Sequence, residues 1–462
     1  MSLLHTMLDA APGGTELTGA VLSGTTISAH GVGGGKDLPI PPELAIAGGV
    51  AALVISFTVL ATAWRSPRYD GRERGTAVPA LQRVVDHPVT VFALRLLGLL
   101  LFGYALWAAV AGQDLLTNPF FGMFMVLLWV GLVPLSLVFG RAWRAINPAR
   151  TLSLLLARVT GSDPETGILS LSPRLGLWPA ALGLYAFVWF ELVYPHSTEL
   201  ASARLWMVVW LVVLVMGGAL FGTRWISSAD PFEVYSDLVA KVSPWGRDAQ
   251  GRLVLRSPLA NLSTLRAQPG LTAVVAVLFG STGFDSFRES TVWVQYIQST
   301  TTSSNLLNNL ALLGFVVGVG ALFALGTMTT GVEPGTSRRA LPNLFAASVV
   351  PIIVGYMVAH YLTYFVEFGQ QTLIYMSDPL SRGDNLLGTG AMSVNYWLSE
   401  HPTLLATTKV LAVVLGHVVG VVAAHDRAVA LLPKRHQLTG QLPLLLVMVL
   451  FTGGGLYLLF AA

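Results

Sequence analysis

The chain has 462 residues, 53% of them hydrophobic and only 11% charged, with a formal net charge of +3. Soluble domains carry about a quarter charged residues, so this depletion points to lipid as the solvent. The small positive charge sits in loops and is no sign of nucleic-acid binding, and the absence of cysteine excludes disulfides, thiolate metal sites and cysteine nucleophiles.

Residues 1–42 are rich in Gly, Ser and Thr and end in Pro39, Pro41 and Pro42. This predicts a flexible extracytoplasmic segment ahead of a single polytopic membrane domain over 43–462. The segment lacks the basic start and continuous apolar core of a secretory signal. Ile27-Ser28-Ala29 is a poor cleavage site; cleavage there would expose His30, whose imidazole and free amine suit copper.

Ten apolar runs follow, at 43–63, 89–111, 119–139, 175–194, 204–222, 271–287, 305–328, 341–366, 402–424 and 440–460. Runs of about twenty residues are long enough to cross a hydrocarbon core. The prediction is an all-α integral membrane protein, a bundle of about ten transmembrane helices. The sixth run is the least lipid-like: half a span of apolar residues, then Gly280-Ser281-Thr282-Gly283, then Asp285. It predicts a broken helix that still crosses. With ten crossings, the loops on one side hold 21 of the chain's 27 lysines and arginines. The positive-inside rule then places both termini outside a plasma (inner) membrane.

Two stretches in the basic loops carry further pattern. Residues 141–160 predict a helix in the interface, with Trp143, Leu152, Leu155 and Leu156 toward lipid. Residues 230–240 open with Asp230-Pro231, an N-cap followed by a first-turn proline. Both read as positional anchors. No internal repeat is evident, although five plus five spans leave room for an inverted one.

Ionisable side chains within a span cost several kcal/mol, so each raises a functional question. Asp285, beside glycines that let backbone unwind, suits cation coordination or proton relay; the plainer reading is a kink with its groups satisfied by Ser281 and Thr282. In the eighth run His360 and Glu367 lie seven residues apart, on one helix face and roughly 10 Å from each other. Tyr356 and Tyr364 complete the stripe, which must face protein or water. In the ninth run stand Lys409 and His417, the latter between Gly416 and Gly420, with His425 and Asp426 at its end. Arg95 in the second run and Glu191 near the end of the fourth read as two more buried groups. Glu191, Asp285, His360, Glu367 and Lys409 all map to the outer half, as an outward-facing polar cavity requires. Phosphate-loop, HExxH, GxSxG and CxxC motifs are absent.

The segments Ala29-His30-Gly31 followed by DLPIP, GYMVAHYLTYFVEFGQ and GHVVGVVAAHDRAVAL resemble a family of actinobacterial multi-pass membrane proteins often labelled fenitrothion hydrolase. The likeness runs through most of the chain. It implies phosphotriester hydrolysis, with His360, His417 and His425 as metal or base candidates. By spacing alone these histidines are dispersed over spans and depths, unlike the clustered ligands that activate water.

Three readings follow. The leading one is transport or permeation of a small solute through a polar path, linked to protons or a divalent metal ion. The second is a membrane-embedded, metal-dependent hydrolase of hydrophobic esters. The third is a structural or assembly subunit whose polar groups hold helices and whose partners are other membrane subunits.

Overall fold

The computed structural model describes residues 34–69, 75–330, 332, 337–437 and 439–461. Residues 1–33, with His30, lie outside these, so most of the predicted flexible segment is not described. Among the described residues seven helices are long and apolar enough to cross a membrane: α1 (Pro42–Ala63), α2 (Pro88–Ala111), α8 (Leu200–Phe221), α12 (Ser304–Met328), α13 (Val350–Tyr375), α14 (Pro402–Leu431) and α15 (Thr439–Phe460). The helix α3 (Pro119–Val130) and α4 (Leu132–Phe139) form a bent pair that makes an eighth if counted as one span. These seven or eight do not confirm the expected ten. The fourth predicted span is the 15-residue α7 (Trp178–Leu192), and the sixth is the 18-residue α11 (Leu271–Arg288), too polar to qualify by apolarity.

The predicted break in the sixth segment is not there: α11 is one continuous helix. Its hydroxyls bond back to the helix instead of replacing it, with Thr282 Oγ1 donating to the Leu278 carbonyl at 2.8 Å. Its glycines serve packing. A Cβ on Gly280 would lie 2.6 Å from the Val316 Cα, so only glycine lets α11 and α12 approach this closely. The break lies in the third segment, where α3 and α4 meet at 43°. Two causes of bending coincide there: Gly122–Val130 is wound as π-helix, and Pro134 withholds an N–H from the first turn of α4. A second π-helical stretch, Tyr364–Phe368 within α13, packs against the first.

The chain does contain a repeat, and it runs in one direction. Helices α4 and α8 end in Phe139 and Phe221, and the glycines that follow, Gly140 and Gly222, both take a positive φ (74° and 70°) that disfavours a side chain. A short helix follows each, α5 (Ala142–Ile146) and α9 (Thr223–Ala229). Then Asn147-Pro148 opens α6 (Pro148–Thr160) and Asp230-Pro231 opens α10 (Pro231–Val239). The two capping residues have nearly the same backbone angles, and each side chain accepts a backbone N–H of its own first turn. The loop after α6 hydrogen-bonds to the end of α8 (Ile168 N to Leu220 O, 2.8 Å), so both copies finish at the arginine-rich end.

Contacts between the copies are reciprocal, as about a two-fold axis. Helix α4 packs on α10, and its counterpart α8 packs on α6. Ser136 meets Ser236 at 2.8 Å; at the matching place Gly218 lies so close to Ser153 that a Cβ would be 2.4 Å from its Oγ. This overturns the interface-helix expectation for 141–160. The helix breaks at Asn147, Trp143 is buried, and of the four named residues only Leu155 is exposed. Residues 230–240 form the expected helix, capped by Asp230, and it lies in the core: eight of the nine residues of α10 are buried.

At the same end a small antiparallel sheet joins distant loops. Strand β1 (Thr76–Ala77) and β2 (Trp245–Arg247) flank β3 (Leu253–Leu255).

Candidate functional site

A carboxylate inside a helix bundle must be met by donors, and Asp285 is met by several. Its Oδ2 accepts from His360 Nε2 at 2.9 Å and from Tyr361 Oη at 2.7 Å. Its Oδ1 faces Arg288 Nε at 3.3 Å, one turn along the same helix. An ionised Asp285 accepts only, and His360 then donates to it from Nε2. The other ring nitrogen, Nδ1, lies 3.1 Å from Ser286 Oγ, which meets Tyr356 Oη at 2.8 Å. Five side chains thus form one wire: Tyr356, Ser286, His360, Asp285 and Tyr361. All are at most 8% exposed.

Helix periodicity explains the assembly. Tyr356 and His360 are four apart on α13 and stack with rings nearly parallel (7°), while Asp285 and Ser286 sit side by side on α11. Helix α7 adds Glu191, close enough to interact electrostatically with Asp285 and Arg288, and Arg288 Nη1 donates to the Leu192 carbonyl at 2.5 Å. Glu289 lies near Asp285 and His360.

Of the predicted residues, Asp285, His360, Tyr356 and Glu191 therefore come together. The rest are elsewhere. Glu367 is buried but accepts from Ser399 Oγ at 2.5 Å, in the loop before α14. Lys409 is buried near Asp37. His417 Nδ1 pairs with the Val413 carbonyl at 2.8 Å, one turn back on its own helix. His425 is held between Gln441 Oε1 (3.0 Å) and the Trp64 carbonyl (2.9 Å). His360, His417 and His425 thus have three separate sets of partners. Among the described residues no group of three His, Asp or Glu is placed to hold a metal ion. Arg95, expected to be buried, is exposed on α2. The glycine and hydroxyl residues 280–283 line the α11 contacts and do not unwind.

Tyr361, Ser286, Arg288 and Glu289 were not singled out from sequence. Ser286 and Glu289 flank Asp285 closely enough to have been suspected; Tyr361 lies off the Tyr356–His360 stripe, and only the fold shows that α11 approaches from that side. The second missed constellation joins the two repeat copies. Asn147 Nδ2 donates to Asp230 Oδ2 (2.7 Å) and to Glu233 Oε2 (3.0 Å), and Arg150 Nε donates to Glu233 Oε2 at 2.9 Å. Arg150 Nη2 also pairs with Glu233 Oε1, and Trp143 Nε1 donates to Asp230 at 2.9 Å. Asp230 and Glu233 are wholly buried, Asn147 1% and Arg150 6% exposed.

Compared with models of known protein families, with curated proteins and with solved structures, the chain matches none.

Proposed function

We propose that this chain is a multi-pass membrane transport protein that moves a small solute or ion in step with protons, and that Asp285 and His360 carry the proton. The reading rests on one observation: a carboxylate and an imidazole joined at 2.9 Å, buried among helices of a membrane protein and continued on both sides by hydroxyls. Intramembrane ionisable groups paired in this way mark proton relays in pumps and transporters. The imidazole and carboxylate exchange a proton without either becoming an isolated buried charge, because Arg288 and Tyr361 remain beside Asp285 in both states. The scattered partners of the histidines favour protons over a metal ion as the coupling species, and they favour transport over metal-dependent ester hydrolysis.

In this reading all ten apolar segments cross, including α7 and α11, and the arginine-rich end faces the cytoplasm of a plasma membrane. A helix of 18 residues spans about 27 Å, close to the hydrocarbon thickness. The test is proton flux in liposomes containing the purified chain and a trapped pH dye. Asp285→Asn should abolish flux and His360→Gln should slow it strongly. Unchanged flux in both variants would assign the cluster to holding helices together.

A further inference from the structure

A proton site buried on every side needs a way in, and Asp285 and His360 are only 4% and 8% exposed. Helix α13 follows Arg338-Arg339, and from His360 a row of rings runs toward its other end. The His360 and Tyr361 rings are 4.5 Å apart, Tyr361 and Tyr364 6.2 Å, and Tyr364 and Phe368 5.1 Å. All four residues are buried. The last two are the first and last residues of the π-helical stretch Tyr364–Phe368.

A π-helix bonds each N–H one residue further back than an α-helix does; it is rare and occurs frequently at functional sites. Rewinding the stretch as α-helix turns everything beyond it by about 100°, and shifts it by about 1.5 Å, relative to His360. The surface it packs on suits such a movement, being the other π-helical stretch, Gly122–Val130. A Cβ on Gly122 would collide with Thr372, and one on Gly131 would lie 3.2 Å from Phe365 Cε2. At both ends of this contact, therefore, glycine sends no side chain into α13 to lock it.

Beyond the stretch, α13 and the loop after it hold together. Asn395 N donates to Gln370 Oε1 at 3.0 Å, and Gln370 Nε2 donates back to the Asn395 carbonyl at 3.3 Å. Ser399 Oγ donates to Glu367, and Thr389 Oγ1 donates to the Leu373 carbonyl at 2.7 Å. We propose that Tyr364–Phe368 is a hinge, and that the end of α13 beyond it moves with the loop 376–401 as one gate. Its movement carries Tyr364 and Phe368 away from Tyr361 and opens the Asp285–His360 pair to the side away from the arginines. The gate rests on the transport reading; the hinge does not.

The chain has no cysteine, so introduced pairs can be bridged cleanly. Gln113 Nε2 donates to the Ser381 carbonyl at 3.2 Å, a contact between the loop after α2 and the gate. Gln113→Cys/Ser381→Cys, bridged by a short bis-methanethiosulfonate, ties the gate down. In dye-loaded liposomes its proton flux should fall several-fold against the same protein unbridged, and return on reduction. Full flux in the bridged protein overturns the gate. Gln370→Cys/Asn395→Cys, bridged inside the moving body, should keep its flux; loss of flux there overturns movement as one body. Hydrogen exchange reads the hinge without transport: the Tyr364–Phe368 amides should exchange several-fold more slowly once Gln113→Cys/Ser381→Cys is bridged. Unchanged exchange overturns the hinge. If Asp285→Asn leaves flux unchanged, the transport reading and the gate fall together, and exchange alone decides the hinge.

Discussion

The amide of Asn147 donates to the carboxylate of Asp230 at 2.7 Å, and the two residues hold the same place in successive copies of one motif. Each caps a helix with its own side chain, and each is followed by proline. The next equivalent pair, three residues on, is Arg150 and Glu233, which form a buried ion pair.

Breaking that pair from one side should be costly. Arg150→Ala leaves Glu233 buried with only Asn147, Ser227 and the more distant Arg144 (3.8 Å) for company. Removing one partner of a buried pair costs about 3–5 kcal/mol, whereas an apolar replacement of both is often neutral. Thermal unfolding in detergent should show a large drop for Arg150→Ala and substantial recovery in Arg150→Met/Glu233→Leu. A double variant no better than the single would mean that the charges do more than satisfy each other.

Tyr361→Phe removes one of two donors to Asp285 Oδ2 and keeps the ring. A hydrogen bond to a charged group contributes about 1.5–3 kcal/mol, so the variant should be destabilised by that order. Tyr185→Phe, on α7, is the matched comparison. Equal melting temperatures for the two variants would show that the Tyr361 hydroxyl adds nothing to the site.

Gly280 is where α11 and α12 touch backbone to backbone. Gly280→Ala places its Cβ against Val316 Cα, and overpacking a tight contact costs about 1–3 kcal/mol. Gly314→Ala has open space at its Cβ and serves as control. If the two variants melt alike, the helices are further apart than described.

Outside the spans, Arg247 on β2 hydrogen-bonds Asp86, the residue that closes the short helix Pro79–Val85, and holds its carboxyl below the usual range. A lowered folded value means the pair's contribution is complete above the unfolded pKa, near 4, and is lost as pH falls through the folded value. Both side chains are more than 40% exposed, so the contribution is about 0–1 kcal/mol. The melting temperatures of the native chain and Asp86→Asn should differ slightly at neutral pH and converge in acid. A difference that persists in acid would place its origin elsewhere.

Much of the architecture is legible in the sequence because lipid imposes a simple rule: apolar runs become helices, and all ten runs do contain helix. The rule fails where the solvent of a helix is other protein. Helix α11 reads as broken because Gly280, Ser281 and Thr282 look like unwinding residues, yet α12 needs that glycine and the helix backbone takes the Thr282 hydroxyl. Asp285 and His360 are visible as isolated charges in apolar sequence, but their pairing depends on how α11 and α13 cross. The repeat was hidden by an extra residue between Phe221 and Asp230 relative to Phe139 and Asn147, and by opposite charges at matching positions.

That duplication makes the chain an alignment of two sequences. What both copies keep, the phenylalanine, the positive-φ glycine and the proline after the cap, is what the bend requires of any chain that makes it. What they exchange, amide for carboxylate and guanidinium for carboxylate, is what lets one copy recognise the other. The asymmetry also sets a direction: two copies of the Arg150 type would repel and two of the Glu233 type would repel, so each half is complete only beside its opposite.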